Sequence, residues 1–454
     1  VVIARAPGRL DIMGGISEYS GGLVLEKTIA EQATVYVAAR ADGLVRVQTR
    51  SRSVSIRPRI EVFVPELSEG WTAPDLESIK TQLNESPKTR WALYLAGCLL
   101  VLVNDKKVFS RGVDIWLHSD VPMACGVASS SAIEMATLSA LDRLYNVNCT
   151  GAELARLAQK VENTFVGTPC GIMDQLTACL GEAGKLLPII CQNARAQPLV
   201  EIPADMFFVG IDSGIANMVT GNEFISARVA AFMGYSIIAL QMGASTKDLK
   251  QAARTGDTSG LPLGGHLANL SPQKLEKELL QLLPDEMTGN DFLQQYGISI
   301  DQATSVEADQ VYRVKACTGF PVYENYRTHQ FIKLLNDLHG GATSFQFATT
   351  LKALGELMSA AHAGYTRCGL GHERTNELIE AIFGKGPDQY LYGARVTGKG
   401  NGGMVAVLCR GKTGVDTARK LGREFARKHG YLNTFFEGDS NGSSQQIIRE
   451  VILN

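Results

Sequence analysis

From Pro122 to Ala132 the chain reads Pro-Met-Ala-Cys-Gly-Val-Ala-Ser-Ser-Ser-Ala, a run of mostly small side chains that can bury little on its own. Directly after it Ile133, Ala136, Ala140, Leu141 and Leu144 recur at helical spacing, which predicts a small-residue loop delivered into a helix. Ser131 followed by Glu134 has the form of a capping box, so the helix is expected to begin within the serine run. A loop ending at a helix N-terminus offers free backbone N–H groups and the positive end of the helix dipole, surroundings that attract phosphate where no bulky side chain intervenes. The serine hydroxyls add donors or a metal ligand. On these residues alone, a plain serine-rich cap is an equal reading.

A fold organised around such a loop needs walls. At 454 residues the chain exceeds what one hydrophobic core usually holds, so two domains, or two with an insertion, are expected. Hydrophobic residues at 45% and charged residues at 20% give ample core material. The formal net charge of −2 supplies no basic footprint for nucleic acid or an anionic membrane, and the expected partner is a small molecule. No apolar run is expected to span a bilayer. Nine cysteines without a C-x-x-C pair, and seven histidines without metal-ligand spacing, read as reduced thiols in a cytoplasmic protein and not as a disulfide frame or zinc site. Val1 to Ala6 reads as a strand and not as a secretory leader, and an opening directly on a strand suggests a piece of a longer polypeptide.

Taken in chain order, Ala6-Pro7-Gly8-Arg9-Leu10-Asp11-Ile12-Met13-Gly14-Gly15-Ile16-Ser17-Glu18-Tyr19 is a strand that stops at Pro-Gly with an arginine after the break. Thr34 to Ala39 and Val45 to Thr49 alternate like antiparallel strands around Ala41-Asp42-Gly43, and Ser51 to Pro65 continues in strand-like fashion. Arg90 to Asn104 reads as a helix with an apolar face, and Val113 to His118 as the strand that leads to the central loop. Gly151 to Val166 is a further helical pattern containing Glu162. Beyond a Gly/Pro turn comes Gly171-Ile172-Met173-Asp174, an Asp at a helix start that a simple cap explains as well as a function does. Leu186 to Cys191 and Phe207 to Ile211 read as strands, and Asn222 to Met242, Tyr323 to Leu338 and Thr350 to His362 as helices. Gly243 to Thr318, with an amphipathic segment from Pro272 to Leu283, reads as an inserted helical subdomain. Arg395-Val396-Thr397-Gly398-Lys399-Gly400-Asn401-Gly402-Gly403 leads into the apolar strand Met404 to Leu408. The expected class is α+β, with mixed and antiparallel sheets and helices packed on them.

Familiar phosphate motifs are absent. Gly411-Lys412-Thr413 has Ala406 where a Walker loop needs its first glycine, and Gly184-Lys185 is followed by Leu186. No strand-coupled G-x-G-x-x-G precedes a helix. Three glycine-rich stretches in this order make the chain similar instead to the GHMP-type small-molecule kinases. Ala6-Pro7-Gly8-Arg9 resembles their first motif, Pro122 to Ala132 their phosphate loop, and Arg395 to Gly403 their third. Pro169-Cys170-Gly171-Ile172-Met173-Asp174-Gln175 and Arg90-Trp91-Ala92-Leu93-Tyr94 resemble the galactokinase branch. Met13-Gly14-Gly15-Ile16, Gly210-Ile211-Asp212-Ser213-Gly214-Ile215 and the region from Leu267 to Tyr326 are similar to the L-arabinokinase domain known from plants.

That resemblance implies a two-domain GHMP kinase fold, residues 1–205 and 206–454, with the insertion at about 243–318 in the second. It implies ATP and Mg²⁺ as cofactors, with Gly126, Val127, Ser129, Ser130 and Ser131 around the phosphates. Ser130 or Ser131 and Glu162 would hold the metal, and Trp91 would lie at the adenine end. Asp174 would orient or deprotonate a sugar hydroxyl while Arg9 keeps it ionised and stabilises the moving phosphoryl group. Gly15, Ile16, Glu18, Tyr19, Gly171, Phe224 and Gly400 would surround the sugar. Galactokinases carry Glu-His where Gly15-Ile16 stand, and those side chains reach the C6 hydroxymethyl group. L-arabinopyranose has the ring stereochemistry of D-galactopyranose without that group, so the resemblance implies L-arabinose as substrate and L-arabinose 1-phosphate as product, with galactose as the alternative. Glu18 and Phe224 depart from the branch, which has Asp and Tyr there. A catalytically silent sugar and ATP sensor on the same scaffold is the alternative of another class.

Overall fold

The hub of the molecule is β1 (Val2–Met13), which pairs antiparallel with the long β2 (Leu23–Ala39), Val2 opposite Val37 and Met13 opposite Leu25. The structure, a computed structural model, describes residues 1–42, 44–50, 59–63, 73–108, 112–216, 222–338, 341 and 343–451. Register shifts follow Pro7 and Asp11. Proline has no N–H for the ladder, and each irregularity bends the strand locally. Arg9 and Asp11 are both buried as a result of the packing over this strand.

The remaining strands in order are β3 (Leu44–Thr49), β4 (Arg59–Phe63), β5 (Val113–Ser119), β6 (Lys185–Ile190), β7 (Arg195–Ala196), β8 (Val200–Glu201), β9 (Met206–Asp212), β10 (Met287–Thr288), β11 (Val311–Tyr312), β12 (Leu391–Val396), β13 (Met404–Arg410), β14 (Phe435–Phe436) and β15 (Arg449–Glu450). The first sheet runs β15-β1-β2-β5-β3-β4, with β6 beside the opening residues of β2 and β7 and β8 on β6. The second runs β12-β13-β9-β14. β15 thus returns from the far end of the chain to the first sheet.

The helices are α1 (Ala73–Asn84), α2 (Leu93–Lys106), α3 (Ser129–Tyr145), α4 (Gly151–Lys160), α5 (Met173–Leu180), α6 (Asn222–Gln241), α7 (Thr246–Thr255), α8 (Pro272–Lys274), α9 (Gly289–Gln295), α10 (Val314–Asn336), α11 (Ser344–Arg367), α12 (Glu373–Lys385) and α13 (Gly411–His429). α3 lies across β1 and β2, closing the largest core; α12 and α13 cover the second sheet. α6, α10 and the inserted region share a separate apolar core with Ile16 and Tyr365.

Several expectations need correcting. β2 and β3 are not neighbours, because β5 lies between them, antiparallel to β2 and parallel to β3. Of the strand expected from Ser51 to Pro65, only Arg59–Phe63 falls within the described residues. α10 starts at Val314 and runs through Pro321, so the proline removes one helical hydrogen bond without ending a helix whose neighbouring residues are buried. The insertion is not wholly helical, since β10 and β11 pair within it. α6 is long and apolar enough to cross a membrane, but 72% of its most apolar stretch is buried inside the fold, the pattern of a core helix.

The capping box is also absent. Ala128 takes a left-handed conformation (φ 56°, ψ 47°) and α3 starts at Ser129 with no side-chain cap. Ser131 is therefore carried past the capping position into the first turn, and its hydroxyl and the Glu134 carboxylate are buried without hydrogen-bond partners.

Candidate active site

Arg9, 3% exposed, draws the separated motifs together. Nε donates to Asp174 Oδ1 at 2.8 Å, Nη2 lies 2.8 Å from the same oxygen, and Nη1 donates to the Gly126 carbonyl at 2.7 Å. The Arg9 backbone N–H donates to the Val127 carbonyl at 3.0 Å. A Cβ on Gly8 would stand 2.6 Å from that carbonyl, so glycine at this position lets β1 touch the loop. The third glycine stretch arrives at the same point: a Cβ on Gly398 would lie 3.3 Å from the Gly126 carbonyl and 3.4 Å from Arg9 Nη2.

Burial opposes the Arg9 charge, but Asp174, Glu26 and Asp11 outweigh it and hold the guanidinium protonated more firmly than usual. Glu26 is fully buried 3.4 Å from Arg9 Nε, with no hydrogen bond to either oxygen, and burial pushes its carboxyl well up. Asp174 stands in the first turn of α5 with its side chain 20% exposed. Glu18 accepts the Met173 N–H at 2.5 Å and so caps α5 beside it. Burial, and then the charge of Asp174, push Glu18 up to about 7. A Cβ on Gly171 would fall 1.9 Å from the Glu18 carboxyl carbon, which leaves room there for glycine alone.

Side chains take three successive backbone N–H groups at the turn after β1. Gly14 donates to Glu324 Oε1 at 3.0 Å, Gly15 to Asp11 Oδ1 at 3.3 Å and Ile16 to Tyr365 Oη at 3.0 Å. Arg395, fully buried, lies 3.4 Å from Asp11 Oδ2 and 3.5 Å from Glu324 Oε1, with its guanidinium over the Tyr365 ring. Asp11 Oδ2 also accepts the Gly398 N–H at 3.1 Å, and Tyr365 donates to the Gly398 carbonyl at 2.6 Å. Gly15 and Ile16 are therefore packed against Tyr365 and the second core and present no polar side chain. Gly400 packs on the same tyrosine and on Leu370. Phe224 meets the Tyr19 ring edge-on at 6.1 Å, and Lys399 Nζ sits 5.1 Å from the Phe224 centroid.

At the start of α3, Ser129 and Ser130 are partly exposed and Ser131 is buried. Glu162 is buried in the turn after α4, and one of its oxygens accepts from Gln175 Nε2 at 3.3 Å. Burial and the charge of Glu162 push Glu134 well up. An orphaned hydroxyl among carboxylates at a helix N-terminus fits a divalent cation that draws its other ligands from phosphates and water. Trp91, partly buried, precedes α2 a turn before Tyr94, whose hydroxyl burial and Glu162 push up.

The fold thus brings Arg9, Asp174, Glu18, Gly126, Val127, Gly171 and Gly398 together. Sequence reasoning missed the layer behind them, Asp11, Glu26, Glu324, Tyr365 and Arg395. Asp11 stood inside a quoted motif, but nothing in its spacing pointed to a partner 384 positions away (395 minus 11).

Residues 94–182 match the GHMP kinases N terminal domain. The chain is 35% identical over 488 residues to an L-arabinokinase of Arabidopsis thaliana, covering 98% of this chain and 46% of that protein. It is 37% identical over 268 residues to a galactokinase of Chloroflexus aurantiacus, covering 58% of this chain and 61% of that protein. The chain therefore spans about half the length of these curated relatives. Its fold is similar to that of a Lactococcus lactis galactokinase solved with galactose, with a TM-score of 0.70 at 21% identity over 97% of this chain and 94% of the other.

Proposed function

We propose that the chain, whose residues 94–182 match the GHMP kinases N terminal domain, is a GHMP kinase and an ATP-dependent sugar 1-kinase of the galactokinase and L-arabinokinase type. Its acceptor is L-arabinose, phosphorylated at the anomeric hydroxyl to give L-arabinose 1-phosphate and ADP. The observation that carries the chemistry is the Arg9–Asp174 pair held against the Gly126 and Val127 carbonyls. Such a pair suits phosphoryl transfer, in which the protein mainly positions reactants and balances charge. Asp174 accepts the sugar hydroxyl's hydrogen bond, and Arg9 fixes the orientation of its carboxylate. Gly126, Val127, Ser129 and Ser130 border the triphosphate, Ser130, Ser131 and Glu162 would hold Mg²⁺, and Trp91 the adenine side. ATP supplies the phosphoryl group and Mg²⁺ the countercharge.

Two things support L-arabinose over D-galactose. An L-arabinokinase of Arabidopsis thaliana matches nearly the whole chain. Gly15 and Ile16 also offer nothing for a C6 hydroxyl to bond, so galactose would strand that group at a cost on the order of 1–3 kcal/mol. Glu18, Tyr19, Gly171, Phe224 and Gly400 form the remaining wall. The nine cysteines, none in a disulfide, fit a reducing compartment such as the cytoplasm. Steady-state ADP release with both sugars tests the reading. A kcat/KM for D-galactose equal to or above that for L-arabinose overturns the substrate, and sugar binding without ADP release from any pentose or hexose favours a sensor.

A further inference from the structure

Away from the Arg9–Asp174 pair, α10, α11 and the inserted region line a solvent-open cavity of about 600 Å³, within the size range of small-molecule sites. Arg327 projects into its wall, with its side chain 13% exposed. Its Nε donates to Glu324 Oε2 at 2.7 Å, but Nη2 is buried without a hydrogen-bond partner. A buried guanidinium N–H left unpaired is costly, and costly groups of this kind mark places where an acceptor belongs. Nη2 packs against α11, where a Cβ on Gly364 would lie 3.6 Å from it. Arg367 stands one turn further on the same helix, lines the same cavity, and makes no ion pair among the described residues.

The acids nearby have partners, Glu276 beside the Tyr323 hydroxyl among them. Lys315 holds Asp285 at 2.7 Å, Arg313 lies 4.0 Å from Glu286, and Glu324 is shared among Arg327, Arg395 and the Gly14 N–H. The cavity is left with the exposed Arg367 guanidinium and with Arg327 Nη1, which makes no hydrogen bond among the described residues, on two helices. Phe320, under the Arg327 guanidinium at 5.9 Å, and Tyr323 supply a flat apolar wall. Two arginines arriving from different helices suit a tetrahedral dianion, which can accept from both.

We propose that this cavity binds a small phosphate monoester, with its phosphate on Arg327 and Arg367 and its organic part against Phe320 and Tyr323. The test uses the full chain saturated with ADP, Mg²⁺ and L-arabinose, so that the Arg9 site is filled, and titrates ribose 5-phosphate and inorganic phosphate by calorimetry. Arg367→Gln removes one anchor, and Ala316→Phe fills the cavity from α10; neither touches Glu324 or the Arg9 site. Ribose 5-phosphate is expected to bind the parent chain, more tightly than inorganic phosphate, and at least tenfold more weakly to each variant, while melting temperature and kcat stay at parental values. Equal affinity in parent and variants overturns the site, as does failure of both probes to bind the parent. Equal affinity for the two probes overturns the role given to the aromatic wall.

Discussion

Arg9 gives both Nε and Nη2 to a single oxygen of Asp174, each at 2.8 Å, and among the described residues the other carboxylate oxygen takes no hydrogen bond. One oxygen is fixed by the protein. The pair thereby sets the direction of the carboxylate and leaves its second oxygen without a protein donor.

Replacing Asp174 by Asn keeps the shape and removes the charge. We expect kcat to fall by about 10²- to 10⁴-fold, with KM for the sugar changing far less. Steady-state kinetics checks this, and near-parental kcat would remove Asp174 from the chemistry.

Arg9→Lys is expected to cost nearly as much. A single ammonium cannot reach Asp174, the Gly126 carbonyl and Glu26 at once, as the three guanidinium nitrogens do. Turnover should drop by about 10²-fold or more, with a loss of stability of about 1–3 kcal/mol from the disturbed buried charges. Urea unfolding beside kinetics separates the two effects. A variant that is destabilised but fully active would make Arg9 purely structural.

The raised Glu18 carboxyl gives a pH dependence with a definite sign. Because its folded value is about 7 against an ordinary 4.5, the folded chain binds this proton more tightly than the unfolded chain does. The contribution of Glu18 to stability is full below pH about 4.5 and is lost as pH rises through about 7. Glu18→Gln stays neutral and can still accept the Met173 N–H. It should therefore gain on the parent by on the order of 2 kcal/mol between pH 5 and pH 8. A difference in unfolding free energy that does not change with pH would contradict this.

Ser131→Ala separates a metal ligand from a merely packed serine. Its hydroxyl has no protein partner, so unfolding free energy should move by less than about 0.5 kcal/mol, while the Mg²⁺ concentration for half-maximal activity rises several-fold. Ser130→Leu, at the partly exposed mouth, should weaken ATP binding at an unchanged melting temperature. A lowered melting temperature with unchanged ATP and Mg²⁺ dependence would give the serines a packing role only.

Gly15→Glu should not convert the chain into a galactose enzyme. Gly15 sits at φ +48°, and a Cβ there would fall 1.9 Å from Tyr365 Oη. Strain and the displaced tyrosine should cost about 2 kcal/mol or more, read as a lower melting temperature. A stable variant with improved kcat/KM for D-galactose would show that the turn can rearrange.

Legibility in the sequence followed distance along the chain. The small-residue loop before Ile133 and the Gly171–Asp174 turn could be read because each is a local pattern with a local cause, whereas the strand expected to stop at Pro7-Gly8 runs on to Met13 with only a register shift after Pro7. The placement of β5 between β2 and β3 could not, since pairing partners leave no mark in periodicity. The Ser131–Glu134 box failed for a different reason: the left-handed Ala128 advances the helix start, a backbone choice that alanine does not announce. Asp11, Glu324 and Arg395 each look like ordinary charged residues until three distant elements meet.

Those three side chains are all fully buried and share their charges, which makes them a unit of inheritance. Losing Arg395 takes from the two buried acids the partner they share, and losing either acid leaves buried backbone N–H groups without an acceptor. Divergence in this lineage therefore has no smooth route through single replacements at Asp11, Glu324 or Arg395: descendants should keep the trio whole or exchange it together, however freely the surrounding surface drifts.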